Sequence, residues 1–218
     1  MLVYHFINKE FGIEDLRKRR LKIAMLNELN DPFEFFGINL GDKAIRHAFR
    51  KMKNELSTTR GLLCFSRDWH NPVQWSHYAE KHQGLCMGFE VPDKHLGPVK
   101  YSPKRLPVEP EQLINYRQLD PETLTTLLFA KYSHWKYENE FRSFVTLEDK
   151  DTEKNMYFAE FSDDLKLVQV IVGAESTISR EDIRVALGDL TPQVDTFKAR
   201  LAFKSFRVIK QMNQKLWV

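Results

Sequence analysis

Short apolar runs rich in β-branched and aromatic residues recur along the whole chain, and this pattern is typical of strands. Turn residues or helical patterns separate the runs, so we expect a sheet of about seven to nine strands. The runs are LVYHF at 2–6, LKIAML at 21–26, GLLCFS at 61–66, GLCMGFEV at 84–91, VKYS at 99–102, EFRSFVTL at 140–147, MYFAEF at 156–161, KLVQVIVG at 166–173 and KARLAFKSFRV at 198–208.

Helical periodicity interrupts these runs at irregular intervals. Apolar residues spaced three and four apart predict helices over 11–20, 42–56, 72–84, 120–137 and 179–187. Asp120 as N-cap and Pro121 at the first position begin what we expect to be the longest helix, whereas the helix that begins at Pro72 should end at Gly84. Helices that interrupt strands without alternating with them predict an α+β fold, with a mostly antiparallel sheet in a single domain over residues 1–218.

The charge balance is too even to indicate a nucleic-acid binder, since 33 Lys and Arg accompany 30 Asp and Glu in 218 residues and the net charge is +3. Basic clusters at 17–20 and 46–53 are typical of solvated helix faces, with a phosphate-bearing ligand as the alternative. Cys64 and Cys86 lie in apolar runs without metal-site spacing, which indicates buried thiols in a reducing compartment. The apolar runs are too short to span a membrane, and we expect a cytoplasmic protein.

The stretch KYENEFRSFVT at 136–146 carries Glu138, Glu140 and Arg142 at alternate positions. Alternate side chains of a strand share one face, so two carboxylates and a guanidinium are expected to point together. Two interpretations stay open. The face is either a Glu-Arg ladder worth up to about 1 kcal/mol, or one wall of a nucleotide pocket.

The helix predicted over 72–84 places Trp75, Tyr78, Ala79 and His82 on one stripe. Such a stripe is typical of a buried core contact, and a platform that stacks on a base is the alternative. His77 lies off the stripe and is therefore the stronger candidate for a polar contact with a ligand.

Other candidates lie near strand ends and turns. His5, next to Tyr4 in the first strand, is either a core histidine or a ligand contact. Ser66 lies where the chain leaves a strand, a common place for functional residues. Asp31 and Glu34 have metal-ligating side chains, but turn chemistry alone explains the Asn-Asp-Pro sequence, and no metal site is predicted.

Four motifs occur in a fixed order: NDPFE at 30–34, LCFS at 63–66, QWSHYAEKHQGLCMGFE at 74–90 and KYSHWKYENEFR at 131–142. Over roughly residues 2–175 the chain resembles a large bacterial family of uncharacterised proteins that carry W-S-H-Y-A, H-x-G and W-x-x-E-x-E-x-R. That resemblance implies no particular activity, although such proteins sometimes occur near phage-defence genes.

A more distant similarity is to the ADP-ribosyltransferase superfamily, and it rests on the order of a Tyr-His strand, a Ser-bearing strand, an aromatic helix and a late E-x-E strand. It implies an ADP-ribosyltransferase-like fold with a split sheet. It also implies that His5 contacts NAD, that Ser66 or Tyr78 supports the nicotinamide, and that Glu138 or Glu140 acts on the ribose. The chain departs from that pattern because it has no clear S-T-S triplet and carries an arginine at position 142.

The resulting hypothesis is an NAD-dependent ADP-ribosyltransferase-like enzyme that modifies an unidentified protein or nucleic acid. Its setting would be that of a toxin or phage-defence effector, with an antitoxin or a neighbouring-gene product as candidate partner. Cleavage of the nicotinamide glycosidic bond passes through an oxocarbenium-like state, which a carboxylate stabilises. The residues assigned to catalysis are Glu140, Glu138 and Tyr78, and those assigned to NAD contacts are Tyr4, His5, Ser66, Trp75, His77 and Arg142.

Within this hypothesis Glu140 stabilises positive charge on the ribose, Glu138 orients or deprotonates the acceptor, and Arg142 holds a pyrophosphate or the carboxylates. Two other functions stay open. One is a non-catalytic module that binds nucleic acid or protein in phage defence, and the other is a metal-dependent nuclease.

Overall fold

A computed structural model describes residues 1–31, 33–35, 37–105 and 120–217. Residues 32, 36, 106–119 and 218 of the predicted single domain lie outside the described residues. Within the described ranges, no helix combines the length and apolar character that crossing a membrane requires.

The described chain forms an α+β fold with a mostly antiparallel mixed sheet, as the sequence predicts. In chain order the strands are β1 (Leu2–Ile7), β2 (Arg20–Lys22), β3 (Ala24–Met25), β4 (Arg60–Ser66), β5 (Leu85–Glu90), β6 (Gly97–Pro98), β7 (Lys100–Ser102), β8 (Ala130–Tyr132), β9 (Glu140–Thr146), β10 (Lys150–Asp151), β11 (Met156–Glu160), β12 (Lys166–Val172), β13 (Asp195–Leu201) and β14 (Val208–Lys210). The α-helices are α1 (Lys9–Lys18), α2 (Lys43–Ser57), α3 (Pro72–Tyr78), α4 (Pro121–Leu128) and α5 (Arg180–Leu187). Short 3-10 helices span Asp93–His95, Ser133–Glu138, Gly188–Gln193 and Gln214–Leu216.

The main sheet has nine strands in the order β14-β13-β12-β5-β1-β4-β9-β6, with β3 also paired to β4. The pairing of β12 with β13 is parallel and the other pairings in this sheet are antiparallel. A three-stranded sheet, β10-β11-β2, and a parallel pair, β7-β8, complete the described strands. The central position of β1 brings Tyr4 opposite Ser66 of β4, and β4 in turn brings Ser66 opposite Glu140 of β9.

Apolar side chains pack on both sides of this sheet. Leu16 of α1 and Ile183 of α5 join the largest buried cluster together with strand residues such as Phe89. The apolar face of α2 contributes Ile45 and Phe49 to a second cluster. Asp42 caps α2 by accepting hydrogen bonds from the amides of residues 44 and 45, as an N-cap aspartate does.

Two helix predictions are wrong in length. The helix predicted over 120–137 ends at Leu128, and the chain then forms β8 and a 3-10 helix, so α2 is the longer helix. The reason is tertiary pairing, since Lys100 of β7 lies opposite Ala130 of β8. The helix predicted over 72–84 ends at Tyr78. A Cβ at Gly84 would lie 2.1 Å from the Ile7 carbonyl oxygen, so Gly84 serves close approach to β1 instead of capping a helix.

Candidate active site

Seven of the nine residues assigned from the sequence to catalysis or NAD contacts line one cavity of about 240 Å³. They come from β1, β4, α3, the 3-10 helix at Ser133–Glu138, and β9. These residues are Tyr4, His5, Ser66, Tyr78, Glu138, Glu140 and Arg142. Residues spread over more than 130 positions therefore meet in one place because β1, β4 and β9 are neighbours in the sheet.

The other two assigned residues lie outside this lining. Trp75 is fully buried in the core, where its indole Nε1 donates to the Trp69 carbonyl at 2.6 Å and its ring meets Phe6 edge-on. His77 is exposed, and its Nδ1 lies 2.9 Å from the Tyr137 hydroxyl. Trp75 is therefore a core residue and His77 a surface residue. Neither of them lines the cavity, so the structure does not place them where they were expected to contact NAD.

The acidic face differs from the sequence prediction in one respect. Glu138 is not on the strand, because it ends the 3-10 helix and Asn139 then adopts a left-handed conformation (φ 45°, ψ 51°) before β9 begins at Glu140. Glu140 and Arg142 do share a face of β9, and the Glu138 carboxylate still reaches them through a third residue, Lys131. The three charged side chains are therefore close together as predicted, but Glu138 comes from the turn before β9 and only Glu140 and Arg142 come from the strand.

Arg142 is the buried centre of one half of the charged group, with 1% of its surface exposed. Its Nε lies 2.8 Å from Glu140 Oε1, and one terminal nitrogen lies 2.5 Å from Glu34 Oε1. The other terminal nitrogen donates to the Leu128 carbonyl at 2.8 Å, at the end of α4. The guanidinium is thus fixed by three chain segments, and its role is to hold carboxylates in place.

Lys131 links the other half. Its side chain is 8% exposed, and its Nζ lies 2.5 Å from Glu138 Oε2 and 2.9 Å from Glu140 Oε2. Glu34 Oε2 is 3.7 Å away. Lys131 is on β8, in the stretch that the sequence assigns to a helix.

We call Glu34, Lys131, Glu138, Glu140 and Arg142 the charged cluster. With all three carboxylates ionised, the two cations leave it with a net charge of −1.

The pKa values of the two carboxylates of the E-x-E pair are shifted in opposite directions. Burial favours the neutral form of Glu140, but the Arg142 and Lys131 cations outweigh it and lower the pKa of Glu140 to about 2. Burial raises the pKa of Glu138 above its usual value, and although the Lys131 ammonium opposes that rise, the negative charge of Glu140 adds to it. Glu140 is therefore a fixed anion, and Glu138 is suited to exchange a proton.

Hydrogen bonds hold Glu138 at the cavity wall. The Tyr78 hydroxyl donates to Glu138 Oε1, opposite the oxygen that binds Lys131. The side-chain amide of Gln74 donates to the carbonyls of Tyr137 and Glu138 at 2.8 and 3.2 Å, and to Ser66 Oγ at 3.1 Å. Helix α3 thereby ties the turn that carries Glu138 to the end of β4.

The remaining assigned residues differ in what they offer a ligand. His5 donates from Nδ1 to the Cys64 carbonyl at 3.0 Å, and burial lowers the pKa of this imidazole, so it offers a neutral Nε2 acceptor. The Ser66 hydroxyl is committed to its own loop, because it donates to the Asp68 carbonyl and accepts from the Asp68 amide. Of the two alternatives for the middle residue, Tyr78 is the one in direct contact with a carboxylate of the E-x-E pair.

Sequence reasoning missed Lys131 and the part that Glu34 plays. The sequence indicates Glu34 only as a possible metal ligand, whereas in the structure it is 2% exposed and paired to Arg142 across 108 positions of the chain. The only sequence signal for such partners was the presence of an arginine beside two glutamates that would otherwise repel. Among the described residues, no group of three or more histidine, cysteine, aspartate or glutamate side chains could hold a metal ion.

Comparison of the chain with protein-family models, curated proteins and solved structures gives no significant match. The resemblances drawn from the motifs therefore stay predictions.

Proposed function

We propose that this protein is an NAD-dependent ADP-ribosyltransferase-like enzyme and that the cavity holds the nicotinamide riboside end of NAD. One observation carries the proposal: Glu138 and Glu140, joined through Lys131 on one cavity wall, have pKa values moved in opposite directions. When the pKa values of two neighbouring carboxylates differ in this way, one of them can transfer a proton while the other stays ionised and stabilises positive charge.

The charge of the site suits the substrate. A cluster with net charge −1 favours a cationic group in the cavity, and the pyridinium ring of NAD is one. As the C1′–N bond breaks, its electron pair leaves on neutral nicotinamide and the positive charge moves to the ribose. The ionised cluster, with Glu140 at its centre, stabilises that oxocarbenium-like state.

Glu138 completes the transfer. A hydroxyl or amine of the acceptor forms the new bond to C1′, and its proton passes to the Glu138 carboxylate, which is basic enough because burial has raised its pKa. The products are nicotinamide and the ADP-ribosylated acceptor, and the proton is released to solvent from Glu138. Tyr78, through its hydrogen bond to Glu138, orients that carboxylate.

The size of the cavity limits what enters it. At about 240 Å³ it is smaller than the roughly 300–1,000 Å³ of typical ligand sites, so it suits one end of a dinucleotide. A second cavity of about 370 Å³ shares Lys131 with the first and is lined also by Lys104 and Arg105. These cations suit the pyrophosphate, which would lie between the two cavities.

The test is release of nicotinamide from NAD by the purified protein, with added cell extract as a source of acceptors. Wild type should release nicotinamide, and Glu140→Gln should lower the rate by about 10²- to 10³-fold, as the loss of a comparable electrostatic contact does. Glu148→Gln, a matched change at an exposed glutamate after β9, should leave the rate unchanged. Absence of release by wild type, or equal rates in all three proteins, would mean that the charged cluster is a structural ion-pair network.

A further inference from the structure

The turn between β13 and β14 exposes two phenylalanines to solvent. Phe203 is 92% exposed and Phe206 is 99% exposed, and the residues from 203 to 207 are all exposed. Phenylalanine is among the residue types most often buried, and turn residues are usually small or polar. Two fully exposed phenylalanine rings in one hairpin turn therefore indicate a surface that contacts another molecule.

The same segment concentrates the positive charge of the protein. From position 198 to the C-terminal residue of the sequence there are six basic residues and no acidic one, although the whole chain is nearly balanced at 33 to 30. The basic residues are Lys198, Arg200, Lys204, Arg207, Lys210 and Lys215. In the structure Arg207 and Lys210 each lie within 4.0 Å of an aspartate, which partly offsets their charge. Arg200 and Lys204, nearer the tip, therefore favour a negatively charged partner there.

The aromatic and cationic groups are interleaved. The Arg200 guanidinium lies over the Phe203 ring, 4.7 Å from its centre, and Lys204 separates Phe203 from Phe206 by sequence. Rings that offer a flat face next to cations are what single-stranded nucleic acids require, since every base has a face that can stack and every linkage carries a phosphate.

The base of this hairpin contacts the loop that leaves the cavity. The Val208 amide donates to the His70 carbonyl at 2.8 Å, and His70 Nδ1 donates to the Val208 carbonyl at 2.7 Å. Arg207 lies 4.0 Å from Asp68, whose backbone binds the hydroxyl of the cavity residue Ser66. The base of the hairpin is therefore fixed to the loop that follows Ser66, and the charge of Arg207 is partly offset there by Asp68.

We propose that the β13-β14 hairpin binds single-stranded nucleic acid, with Phe203 and Phe206 stacked on bases and the cations at the phosphates. If the protein also has the proposed function, the bound nucleic acid would be the acceptor of ADP-ribose. The binding of nucleic acid by the hairpin does not depend on the proposed function.

The test is fluorescence anisotropy of labelled single-stranded DNA and RNA 12-mers titrated with the full chain at several salt concentrations. Phe203→Ala with Phe206→Ala should weaken binding by at least about 10-fold, as loss of base stacking does. Lys204→Ala with Arg207→Ala should lower the slope of log affinity against log salt by about 1.4, or 0.7 for each cation. The matched controls are Phe11→Ala, an exposed phenylalanine on α1, and Arg50→Ala with Lys51→Ala on α2; both should bind as wild type does.

Failure of wild type to bind either oligonucleotide would overturn the inference, as would equal binding by the Phe203→Ala, Phe206→Ala variant. Phenylalanine-dependent binding to phosphatidylserine vesicles, with no binding to oligonucleotides, would replace it with a membrane-surface role. The two proposals fail separately. If wild type binds oligonucleotides through Phe203 and Phe206 but releases no nicotinamide from NAD, the binding inference stands and the proposed function does not.

Discussion

The ammonium group of Lys131 lies 2.9 Å from Oε2 of Glu140, inside the protein. Burial would lower the pKa of Lys131, but the carboxylates of Glu140, Glu34 and Glu138 outweigh it and raise that pKa. Lys131 is therefore a permanent cation that holds the two carboxylates of the E-x-E pair at fixed separation, and the properties of the site depend on it.

Replacement of Lys131 by Met should destabilise the protein by about 3 to 5 kcal/mol at pH 7, because it leaves the buried Glu138 carboxylate without a cation and leaves the other two carboxylates to share Arg142. The loss should be smaller at pH 5. Burial has raised the pKa values of Glu34 and Glu138, so these groups take up protons as the pH falls and the uncompensated charge disappears. Urea unfolding at both pH values measures this, with the exposed Lys51→Met as control. A loss below about 1 kcal/mol at pH 7 would contradict the buried-cluster geometry.

The rate of ADP-ribose transfer to the acceptor should increase with pH along an acidic limb that lies above the usual glutamate pKa of about 4.3. The reason is that Glu138 must be ionised to accept a proton and its pKa is raised. Tyr78→Phe removes a hydrogen bond that favours the ionised form, so it should move this limb to higher pH. A pH profile of kcat/KM provides the measurement, and an identical limb in Tyr78→Phe would exclude Glu138 as the titrating group.

Trp75→Ala should cost about 3 to 5 kcal/mol in the free energy of unfolding, since the ring is fully buried and packs against Phe6 and His82. Trp75→Phe should cost less, because it keeps an aromatic ring and loses chiefly the hydrogen bond to Trp69. Chemical unfolding distinguishes the two variants. If Trp75→Ala unfolds like wild type but no longer binds NAD, the tryptophan is a binding platform and its placement in the core is wrong.

Asp15 of α1 should make the protein less stable as the pH rises. Its side chain is 3% exposed, and burial raises its pKa to about 7. Because this pKa is higher in the folded state, the stabilisation is complete below the unfolded pKa of about 3.9 and is lost as the pH rises through about 7. In Asp15→Asn the melting temperature should change less with pH between about 4 and 7 than it does in wild type. At pH 8 the variant should melt at a higher temperature than wild type. Asp163→Asn, at an exposed position, is the control, and parallel profiles for Asp15→Asn and wild type would refute the assignment.

The strands were largely predictable because their signal is local. Runs such as those at 2–6 and 61–66 combine apolar and β-branched residues over a few positions, and each forms a strand close to its predicted limits. The helix prediction over 120–137 is wrong because it also rests on a local signal. The apolar spacing of this stretch is helical, but residues 130–132 pair as β8 with β7, which lies thirty positions earlier in the chain.

The site was predictable only in part. Glu138, Glu140 and Arg142 are close in sequence, and their grouping could be foreseen without the coordinates. Glu34 and Lys131 could not be assigned to the same group, because only the fold brings them to Arg142 and Glu140. Trp75 and His77 lie on one short helix, but which of its sides meets the cavity depends on how α3 packs against β1.

The separate roles proposed for Glu138 and Glu140 are tested by how Glu138→Gln divides its turnover of NAD between hydrolysis and transfer. Free nicotinamide and acceptor-bound ADP-ribose would be measured in the same reaction, with melting temperatures as a check on folding. If Glu138 takes the proton of the acceptor while the Glu140 anion stabilises the ribose, Glu138→Gln should still release nicotinamide but label the acceptor at least about 10²-fold more slowly. Equal labelling by Glu138→Gln and wild type would contradict the account.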